Sequence, residues 1–540
     1  MDLKGGTNRC GTKALPALCL ILLAGTRLNA SAPPSASDTV RFLEQSTFGP
    51  NQALISHVQS IGFSAFLDEQ FALPASSYPD LPLQPTTVPA TCTGPCVRDN
   101  YTMYPLQVNF YKNALLGQDQ LRQRVAFALQ QIFVASGLAL NQPSWMTTYL
   151  QVFDKNAFGN FRTLMGDITL NPGMGAYLNM AGNNKNSPNE NYGREILQLF
   201  SIGLELLHPD GASVLDSSGN PVPTYGQAAV SAFARVFTGW NLAAAQVAGV
   251  PDYKDSMVLT PGNHDGGAKT LLNGVTLAAT TPVTAASANK DLNDALDNIF
   301  QHRNVGPFIG RNLIEHLVTS NPGPAYIARV TAAFNDNGSG VRGDMKAVIR
   351  SILLDPEARD ASPGANFGHL QEPVLFVARF LRAFDTNSST TDFVLADSYL
   401  PVEVRMGQDL FRSPSVFNYY PPVFAVFGAN VNGPEFAIQS TSTSFSRVNF
   451  VAETTYKRMP TSTDRPKGTW LDLSALVPMA GSPYRLIGTL DALLTHGAMS
   501  PDLRATLNNA IASMGSATPL AKAQRAVYLI CSSPEYLVER

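Results

Sequence analysis

The stretch that decides the fold is residues 119–136, DQLRQRVAFALQQIFVAS. Its apolar side chains recur at the spacing of an α-helix, and Arg122 and Gln123 lie off the stripe that they form. The stripe consists of Leu121, Val125, Ala128, Leu129, Ile132 and Phe133. Residues 143–158 and 160–170 repeat the pattern. This part of the chain therefore predicts three strong helices in succession.

The same period recurs over most of the chain. It predicts further helices at 37–48, 51–61, 65–71, 188–202, 225–239, 288–301, 306–319, 324–335, 341–354, 370–384, 435–458 and 482–538. Residues 241–285 lack a helical period and predict a few strands, and residues 209–223 predict a β-hairpin or a long loop. The fold class that follows is mainly α, a large multi-helix assembly with a small β-hairpin or strand insertion.

The predicted organisation has four parts. Residues 1–30 are a signal peptide, and residues 31–100 hold N-terminal helices and a proline-rich loop with a cysteine pair. Residues 101–385 form a central helical body with the β insertion at about 205–285, and residues 386–540 form a C-terminal helical part.

Composition excludes several classes of protein. The chain has 540 residues, of which 44% are hydrophobic and 15% are charged, against about 25% charged in typical globular domains. This length and hydrophobic content allow a large core, and they exclude collagen, coiled coil and bulk disorder.

The N-terminus carries the pattern of a targeting segment. Lys4, Arg9 and Lys13 form a basic region, an apolar run follows at Ala14–Gly25, and small residues come at Ala30–Ala32. We predict cleavage after Ala30 and export to a periplasmic or extracellular location. No later run reaches the ~18 apolar residues of a transmembrane helix, so we expect no membrane span after removal of the signal.

Charge argues against a nucleic-acid partner. The whole chain carries a net charge of −3, and removal of residues 1–30 takes away more basic than acidic residues. A negative chain without a basic tract is a poor binder of phosphate backbones.

The cysteines fit an oxidising compartment. Cys92 and Cys96 form a close pair that predicts a small-loop disulfide. The alternative, a metal site, needs two further soft ligands, and no second pair is present. Cys531 lies in an apolar helical stretch and is predicted to be a buried small hydrophobe.

The most distinctive polar stretch is residues 187–203, SPNENYGREILQLFSIG. Ser187 can cap a helix with Glu190 closing a capping box, and Glu190 and Arg194 have the spacing of a helical ion pair. The alternative is a binding site at a helix N-terminus, where backbone N–H groups favour an anion. The residues that would line it are Asn189, Glu190, Asn191, Arg194 and Glu195.

Two histidine-containing stretches are candidates for metal binding or acid–base catalysis. His264 and Asp265 lie in a predicted loop, where they form either a reactive pair or a turn with a solvated imidazole. His369 and Glu372 lie three residues apart at a helix start, where they face one ligand or cap the helix. A divalent metal held by His264, Asp265, His369 and Glu372 is one hypothesis. Glu315 and His316, with Arg311, predict a helix-surface pair.

Several stretches resemble one bacterial family. The first is Asn189–Glu195, NENYGRE, followed by LQLFSIG at 197–203. Others match in the same order: 41–50 RFLEQSTFGP, 234–240 ARVFTGW, His264-Asp265 with Lys269, 340–344 GVRGD, 354–359 LDPEAR, 413–417 SPSVF and 533–536 SPEY. Together they resemble the family catalogued as domain of unknown function 1800, over about residues 40–538. Gly193 departs from the Ala expected there.

The resemblance carries no mechanism, because the family is uncharacterised. Its members are commonly exported and encoded beside a second exported family, numbered 1501 and sulfatase-like. The resemblance therefore implies a protein of that family as a partner.

The first functional hypothesis is an exported metal-assisted hydrolase acting on a cell-envelope or extracellular polymer. Its catalytic residues would be Glu195, Arg194, His264 and Asp265, converging from different helices. The chain lacks the HExxH, CxxCH, GxSxG and phosphate-loop motifs, which argues against zincin proteases, c-type cytochromes and common serine esterases.

The second hypothesis is a noncatalytic envelope or secretion-linked scaffold that binds a partner protein or a glycan. Tyr419 and Tyr420 in the aromatic stretch 417–422, FNYYPP, would form an exposed recognition surface. The alternative is that these aromatic rings plug the core.

Overall fold

The computed structural model of the protein describes residues 33–388, 392–429, 431–459 and 468–540; the predicted signal peptide, residues 1–30, lies outside them. The α-helices of the described residues are α1 Ala36–Ser46, α2 Gln52–Ile61, α3 Phe63–Ala72, α4 Pro95–Tyr101, α5 Tyr104–Leu116, α6 Gln120–Ile132, α7 Pro143–Asn156, α8 Phe161–Thr169, α9 Pro172–Tyr177, α10 Asn191–Gln198, α11 Gln227–Val236, α12 Ala285–Phe300, α13 Val305–Leu317, α14 Pro324–Asn335, α15 Met345–Leu353, α16 Pro373–Arg382, α17 Thr441–Tyr456, α18 Pro483–Leu494, α19 Pro501–Ala512, α20 Pro519–Cys531 and α21 Pro534–Leu537.

The strands are short. They are β1 Trp240–Asn241, β2 Val258–Leu259, β3 Lys269–Thr270, β4 Thr276–Leu277, β5 His369–Leu370, β6 Asn387–Ser388, β7 Thr469–Trp470 and β8 Val538–Glu539. They pair antiparallel as β1–β2, β3–β4, β5–β8 and β6–β7. The prediction of a mainly α fold is confirmed, and the first two strand pairs lie inside the predicted insertion.

Local chemistry fixes where many helices begin. Asn51, Asn171 and Asp344 accept backbone N–H groups of the first turns of α2, α9 and α15. Thr284 and Ser440 form capping boxes at the starts of α12 and α17. Because these caps satisfy donors that have no partner within the helix, they set the helix starts.

The quoted stretch forms α6, which lies at the centre of the molecule. It packs against α1, α3, α5, α7 and α13. The predicted stripe is buried, but Gln123 and Arg124 are buried as well. Arg124 donates a hydrogen bond to the His316 carbonyl of α13, which gives its charge a partner inside the core.

The remaining predictions divide into matches and differences. Residues 205–223 form a hairpin-like excursion with bridges at Glu205–Pro223, Leu207–Ser213 and Leu215–Pro221. Helices α4, α5 and α9 are absent from the sequence prediction. The helix predicted at 188–202 is shorter, because α10 spans Asn191–Gln198.

The cysteines lie as predicted. Cys92 and Cys96 are at disulfide distance, at the start of α4, and Cys531 is buried in α20. In the described part of the chain, no helix combines the length and hydropathy that a bilayer-crossing segment needs. Residues Pro34–Arg540 form one unit, so the predicted segments 31–100, 101–385 and 386–540 share a single core within it.

Candidate functional site

A cavity of about 470 Å³ opens beside α6 and α13. We call it the pocket. Its apolar lining residues include Leu199, Leu204, Phe308, Val416 and Phe417. Its polar lining residues include Gln131, Glu315, His316, Ser320, Asn418, Tyr420 and Glu435. Its size falls in the range of about 300–1,000 Å³ that is usual for small-molecule sites.

Helix α13 brings one carboxyl group to the pocket. Phe308, Arg311, Asn312 and Glu315 face it because they lie three or four residues apart on one face of the helix. The Arg311 Nε donates to Glu315 Oε1 at 2.8 Å. Burial raises the pKa of Glu315 above its ordinary value, and Arg311 only partly offsets this. Glu315 therefore holds a proton more tightly than an exposed glutamate does.

The second carboxyl group is Glu435, in the 3₁₀ turn Pro434–Ile438. Its Oε1 lies 3.4 Å from His369 Nδ1, and its Oε2 is buried without a hydrogen-bond partner. The other ring nitrogen of His369 lies 3.5 Å from Glu539, which the β5–β8 pairing places directly opposite. Burial alone would lower the pKa of His369, but Glu539 and Glu435 raise it to about 10. His369 is thus an imidazolium held between two carboxylates.

Glu372 holds side-chain amide groups and a tyrosine hydroxyl in place at the pocket. Its Oε2 accepts hydrogen bonds from Gln131 and Tyr420, each at 2.9 Å, and from Gln408. Gln131 Oε1 in turn accepts from Asn418. Burial raises the pKa of Glu372, and the donated hydrogen bonds oppose this. Glu372 therefore fixes pocket-lining side chains without being among those that line the pocket.

Two more polar residues, His316 and Ser320, line the pocket. Burial, with help from the nearby charges of Arg124 and His369, lowers the pKa of His316 to about 3. His316 is therefore uncharged at neutral pH. The Ser320 hydroxyl is buried and has no hydrogen-bond partner. Ser320 Oγ and Glu435 Oε2 are therefore buried polar atoms without a partner, on residues that line the pocket.

The sequence-predicted residues His369, Glu372, Tyr419 and Tyr420 lie at or behind this pocket. Tyr420 lines it but is only 6% exposed, so it does not belong to an exposed recognition surface. The Tyr419 hydroxyl points inward and donates to the Asp409 carbonyl. The prediction that Tyr419 and Tyr420 form an exposed recognition surface is therefore wrong, because both hydroxyls donate hydrogen bonds to groups within the protein.

The polar stretch before α10 lies elsewhere, against α11. Glu190 accepts from Gln227 and Ser231 at 2.8 Å and pairs with Arg194 at 2.7 Å, and the first two contacts lower its pKa. The predicted ion pair is confirmed. The predicted capping box is wrong, because α10 begins at Asn191 and the Glu190 carboxylate is engaged with α11.

The other residues of this stretch are Asn189, Asn191 and Glu195. Asn189 accepts from the Asn191 backbone at 2.9 Å, and the Asn191 side chain donates to Asn179 at 2.6 Å. Burial raises the pKa of Glu195, and its Oε2 is buried without a partner.

The loop with His264 and Asp265 also contacts α11. His264 is 1% exposed; its Nδ1 lies 2.9 Å from the Thr238 carbonyl and its Nε2 3.3 Å from Asp291. Lys269 reaches the same Asp291 oxygen at 2.6 Å. The alternative of a solvated imidazole is therefore wrong. Asp265 is held by Arg235 through two hydrogen bonds, which lowers its pKa.

The four predicted metal ligands fall into two groups. His264 and Asp265 contact α11 and α12, whereas His369 and Glu372 contact β8, α6 and the loop before α17. Among the described residues, no hydrogen bond or ion pair joins the two groups, and no three His, Cys, Asp or Glu side chains are grouped to hold a metal ion. The structure does not bring the predicted ligands together.

Sequence reasoning missed Glu315, Ser320 and Glu435 as site residues. The predicted Arg311–Glu315 pair exists, but the helix surface that carries it faces a cavity. Glu435 and Ser320 stand in no motif, and their importance comes from contacts with distant parts of the chain, which spacing does not reveal.

Comparison with known proteins gives a family and nothing more specific. No curated protein and no solved structure matches the chain. The match that exists is to the family described as Protein of unknown function (DUF1800), and it covers residues 41–538. Since this match extends over nearly the whole chain, the protein belongs to that family.

Proposed function

We propose that this protein is an exported hydrolase that cleaves an envelope or extracellular polymer in the pocket by acid–base chemistry. Glu435 takes a proton from the attacking water as its oxygen bonds to the substrate. Glu315 gives a proton to the leaving oxygen as the old bond breaks. Proton exchange with water then restores both groups, so the reaction is balanced without an added reagent.

The observation that carries the proposal is the contrast between two carboxyl groups in one cavity. Glu315 is partly buried on α13, where its raised pKa suits a proton donor. Glu435 faces the imidazolium of His369 and keeps one oxygen free, which suits a proton acceptor. Neighbouring titratable groups with contrasting environments are the usual sign of an acid and a base.

The test uses Glu315→Gln and Glu435→Gln. The assay measures release of reducing ends from bacterial cell-wall sacculi and from a panel of neutral polysaccharides. Each variant should lose at least about 100-fold in kcat, because one proton transfer is removed. The control is Glu403→Gln, an exposed carboxyl group outside the pocket, which should keep the wild-type rate.

Unchanged rates in both pocket variants would refute the proposal. So would a wild-type protein that releases no more reducing ends than the double variant on every substrate. Thermal unfolding of each variant shows whether a loss of rate follows from a loss of folding.

A second candidate is a noncatalytic scaffold that binds an exported protein of the sulfatase-like 1501 family. The observation that favours it is a group of exposed apolar side chains near the pocket: Phe417 is 47% exposed, Val423 71% and Phe427 fully exposed. Phe417→Ser with Phe427→Ser should abolish capture of that protein at an unchanged unfolding temperature. Under this function, Glu315→Gln and Glu435→Gln should leave capture intact.

A further inference from the structure

We infer that an extended segment beside the central helix is a pH-sensitive latch, which loosens when one buried carboxyl group loses its proton. The segment is residues 73–80, LPASSYPD, directly after α3, and we call it the strap. The inference goes beyond the proposed function, and its test needs no substrate. It depends on the two buried carboxyl groups of Asp119 and Asp154, which contact the strap or its partners.

The strap has no regular secondary structure and is held by side chains of its neighbours. The Ser76 amide donates to Asp119 Oδ2 at 2.8 Å, and the Ser76 carbonyl accepts from Gln123 Nε2 at 3.1 Å. Gln151 Nε2 donates to the Tyr78 carbonyl at 2.8 Å. These contacts tie the strap to α6 and α7.

The two carboxyl groups lie close together inside the protein. Asp119 is 1% exposed and Asp154 is 2% exposed. Gln123 Nε2 donates to Asp119 Oδ2 at 3.1 Å and to Asp154 Oδ1 at 3.3 Å, which makes the two groups near neighbours. Asp119 Oδ1 and Asp154 Oδ2 are buried without a hydrogen-bond partner. Because two buried negative charges at this separation repel each other, one of the two groups favours its protonated form.

The positive charge closest in sequence is engaged elsewhere. The Arg122 guanidinium donates to the backbone carbonyls of Asp154 at 3.0 Å and Leu73 at 3.2 Å. Among the described residues, no ion pair is formed with the carboxyl group of Asp119 or Asp154. The repulsion between the two acids is therefore only partly offset.

The helices decide which acid carries the proton. Asp119 immediately precedes α6, where the positive end of the helix dipole favours a negative charge. Asp154 lies in the last turn of α7, where the negative end disfavours one. Burial, with the charge of Asp119, raises the pKa of Asp154 to about 7, although a hydrogen bond from Ser77 of the strap opposes the rise. Asp154 is therefore the group that titrates near neutral pH.

The other titratable groups of the strap keep their charge over this range. Burial raises the pKa of Tyr78 well above its ordinary value, so its hydroxyl stays neutral. Hydrogen bonds from Gln151 and Lys254 lower the pKa of Asp80 below its ordinary value of 3.8, so its carboxylate stays charged. The pH dependence of the strap near neutral pH thus belongs to Asp154.

Lifting of the strap would expose Asp154 to water and return its pKa towards the ordinary value of 3.8. Between about pH 4 and about pH 7 the closed strap therefore keeps a proton that the open strap has lost. The strap is held most tightly below about pH 4, is held less tightly as pH rises, and reaches its weakest hold above about pH 7.

The strap also supports the chain that leads to the pocket. The Tyr78 ring packs edge-on against Phe411, with 6.1 Å between the ring centroids. Val416, Asn418 and Tyr420, which follow Phe411 in the chain, line the pocket. Lifting of the strap would remove this contact.

The test is amide hydrogen exchange of peptides that cover residues 73–80, at a series of pH values from about 4 to about 9. Protection factors remove the intrinsic pH dependence of exchange. In the wild-type protein the protection factor should fall by up to about tenfold per pH unit between about pH 4 and about pH 7, and then stay constant.

Asp154→Asn keeps the size of the side chain and cannot ionise. Its protection factors should not change with pH, and at pH 8 they should exceed those of the wild type by at least about tenfold. Asp502→Asn, an exposed carboxyl group in α19, is the matched control and should follow the wild-type curve. A wild-type protection factor that is independent of pH would overturn the inference. So would an equal fall in Asp154→Asn.

Asp119→Asn gives a second test that does not alter the titrating group. It removes the neighbouring charge, so the fall in protection should end at a lower pH than in the wild type. A curve identical to that of the wild type would show that the two acids do not interact, and would overturn the latch. None of these outcomes bears on the hydrolase, which is tested by its own variants.

Discussion

At the scale of single residues, one carboxylate oxygen, Glu372 Oε2, fixes the positions of several polar side chains at the pocket. This oxygen accepts hydrogen bonds from Gln131, Gln408 and Tyr420. Gln131 in turn accepts a hydrogen bond from Asn418. Asn418 has a left-handed backbone (φ 66°), a conformation that Asn tolerates better than most residues. The hydrogen bond that the Asn418 side chain donates to Gln131 helps to hold this residue at the pocket.

We predict that Glu372→Ala lowers the free energy of unfolding by about 3 kcal/mol, because it leaves buried donors without an acceptor. Glu372→Gln keeps an amide oxygen in place and should cost about 1 kcal/mol or less. Urea unfolding of both variants measures the difference. Equal losses in the two variants would show that the side-chain volume, rather than the acceptor, matters at this position.

Sequence reasoning at this scale selected some residues for the wrong reason. His369 and Glu372 were singled out by their spacing as metal ligands, yet each contacts protein groups behind the pocket. Glu435 was not singled out at all. Its position depends on His369, which lies in a distant part of the sequence, and no local pattern encodes that contact.

At the scale of elements, the contact between α10 and α11 depends on a missing side chain. A Cβ at Gly193 would lie 3.0 Å from the Ala234 backbone nitrogen and 3.4 Å from the Val230 carbonyl oxygen. The two helix backbones are therefore nearly in contact. Glu190 ties the start of α10 to the same helix, which explains why α10 begins three residues after the predicted first helical position.

We predict that Gly193→Ala destabilises the protein by about 1 kcal/mol or more, because overpacking against backbone outweighs the gain of about 1 kcal/mol in helix propensity. Gly488→Ala in α18 is the matched control. A Cβ there meets nothing within 4 Å, so this variant should gain stability. Thermal unfolding measures both, and a rise in the unfolding temperature of Gly193→Ala would contradict the close packing.

The prediction of helices from the sequence failed where polar residues are buried in the core. Helix α5 was missed because Gln107 and Asn113 are buried in it beside Phe110 and Tyr111, which hides the apolar period. The Gln107 side-chain nitrogen donates to the Leu410 carbonyl, a partner far along the chain. The pairing of β5 with β8 was missed for a different reason, because a strand of two residues is too short to show a sequence period.

At the scale of the whole molecule, buried charges join distant parts of the chain. Glu44 of α1 binds Arg379 of α16 and His496 after α18, and Glu539 of β8 faces His369 of β5. Burying charges is costly unless each has a partner, so these pairs fix one arrangement of the helices around α6. Periodicity predicted that helices would surround a core, but it gave no information on these ionic contacts.

The raised pKa of His369 gives stability a pH dependence. Its ordinary value is 6.5 and its value in the fold is about 10, so the stabilisation is complete below pH 6.5 and is lost as pH rises through 10. The groups facing it are Glu435 and Glu539, with Arg124 and His316 nearby. We predict that the free energy of unfolding falls between pH 7 and pH 10 by on the order of 4 kcal/mol.

Glu539→Gln isolates this contribution from other groups that titrate in the same range. It removes one carboxylate from His369, so the variant should be less stable at pH 7 and should lose less stability between pH 7 and pH 10. Urea unfolding at a series of pH values measures both slopes. Parallel curves for the variant and the wild type would show that His369 does not hold its extra proton through Glu539.

The burial of Cys531 has a practical consequence. It is the one free cysteine among the described residues, and its thiol is enclosed in α20 with a raised pKa. A maleimide dye can reach the sulfur only after that helix has left its neighbours, so the rate of labelling reports how often this end of the molecule opens. Since Cys92 and Cys96 form the disulfide, Cys531 is the labelling site among the described residues, and destabilised variants can be ranked before any substrate is in hand.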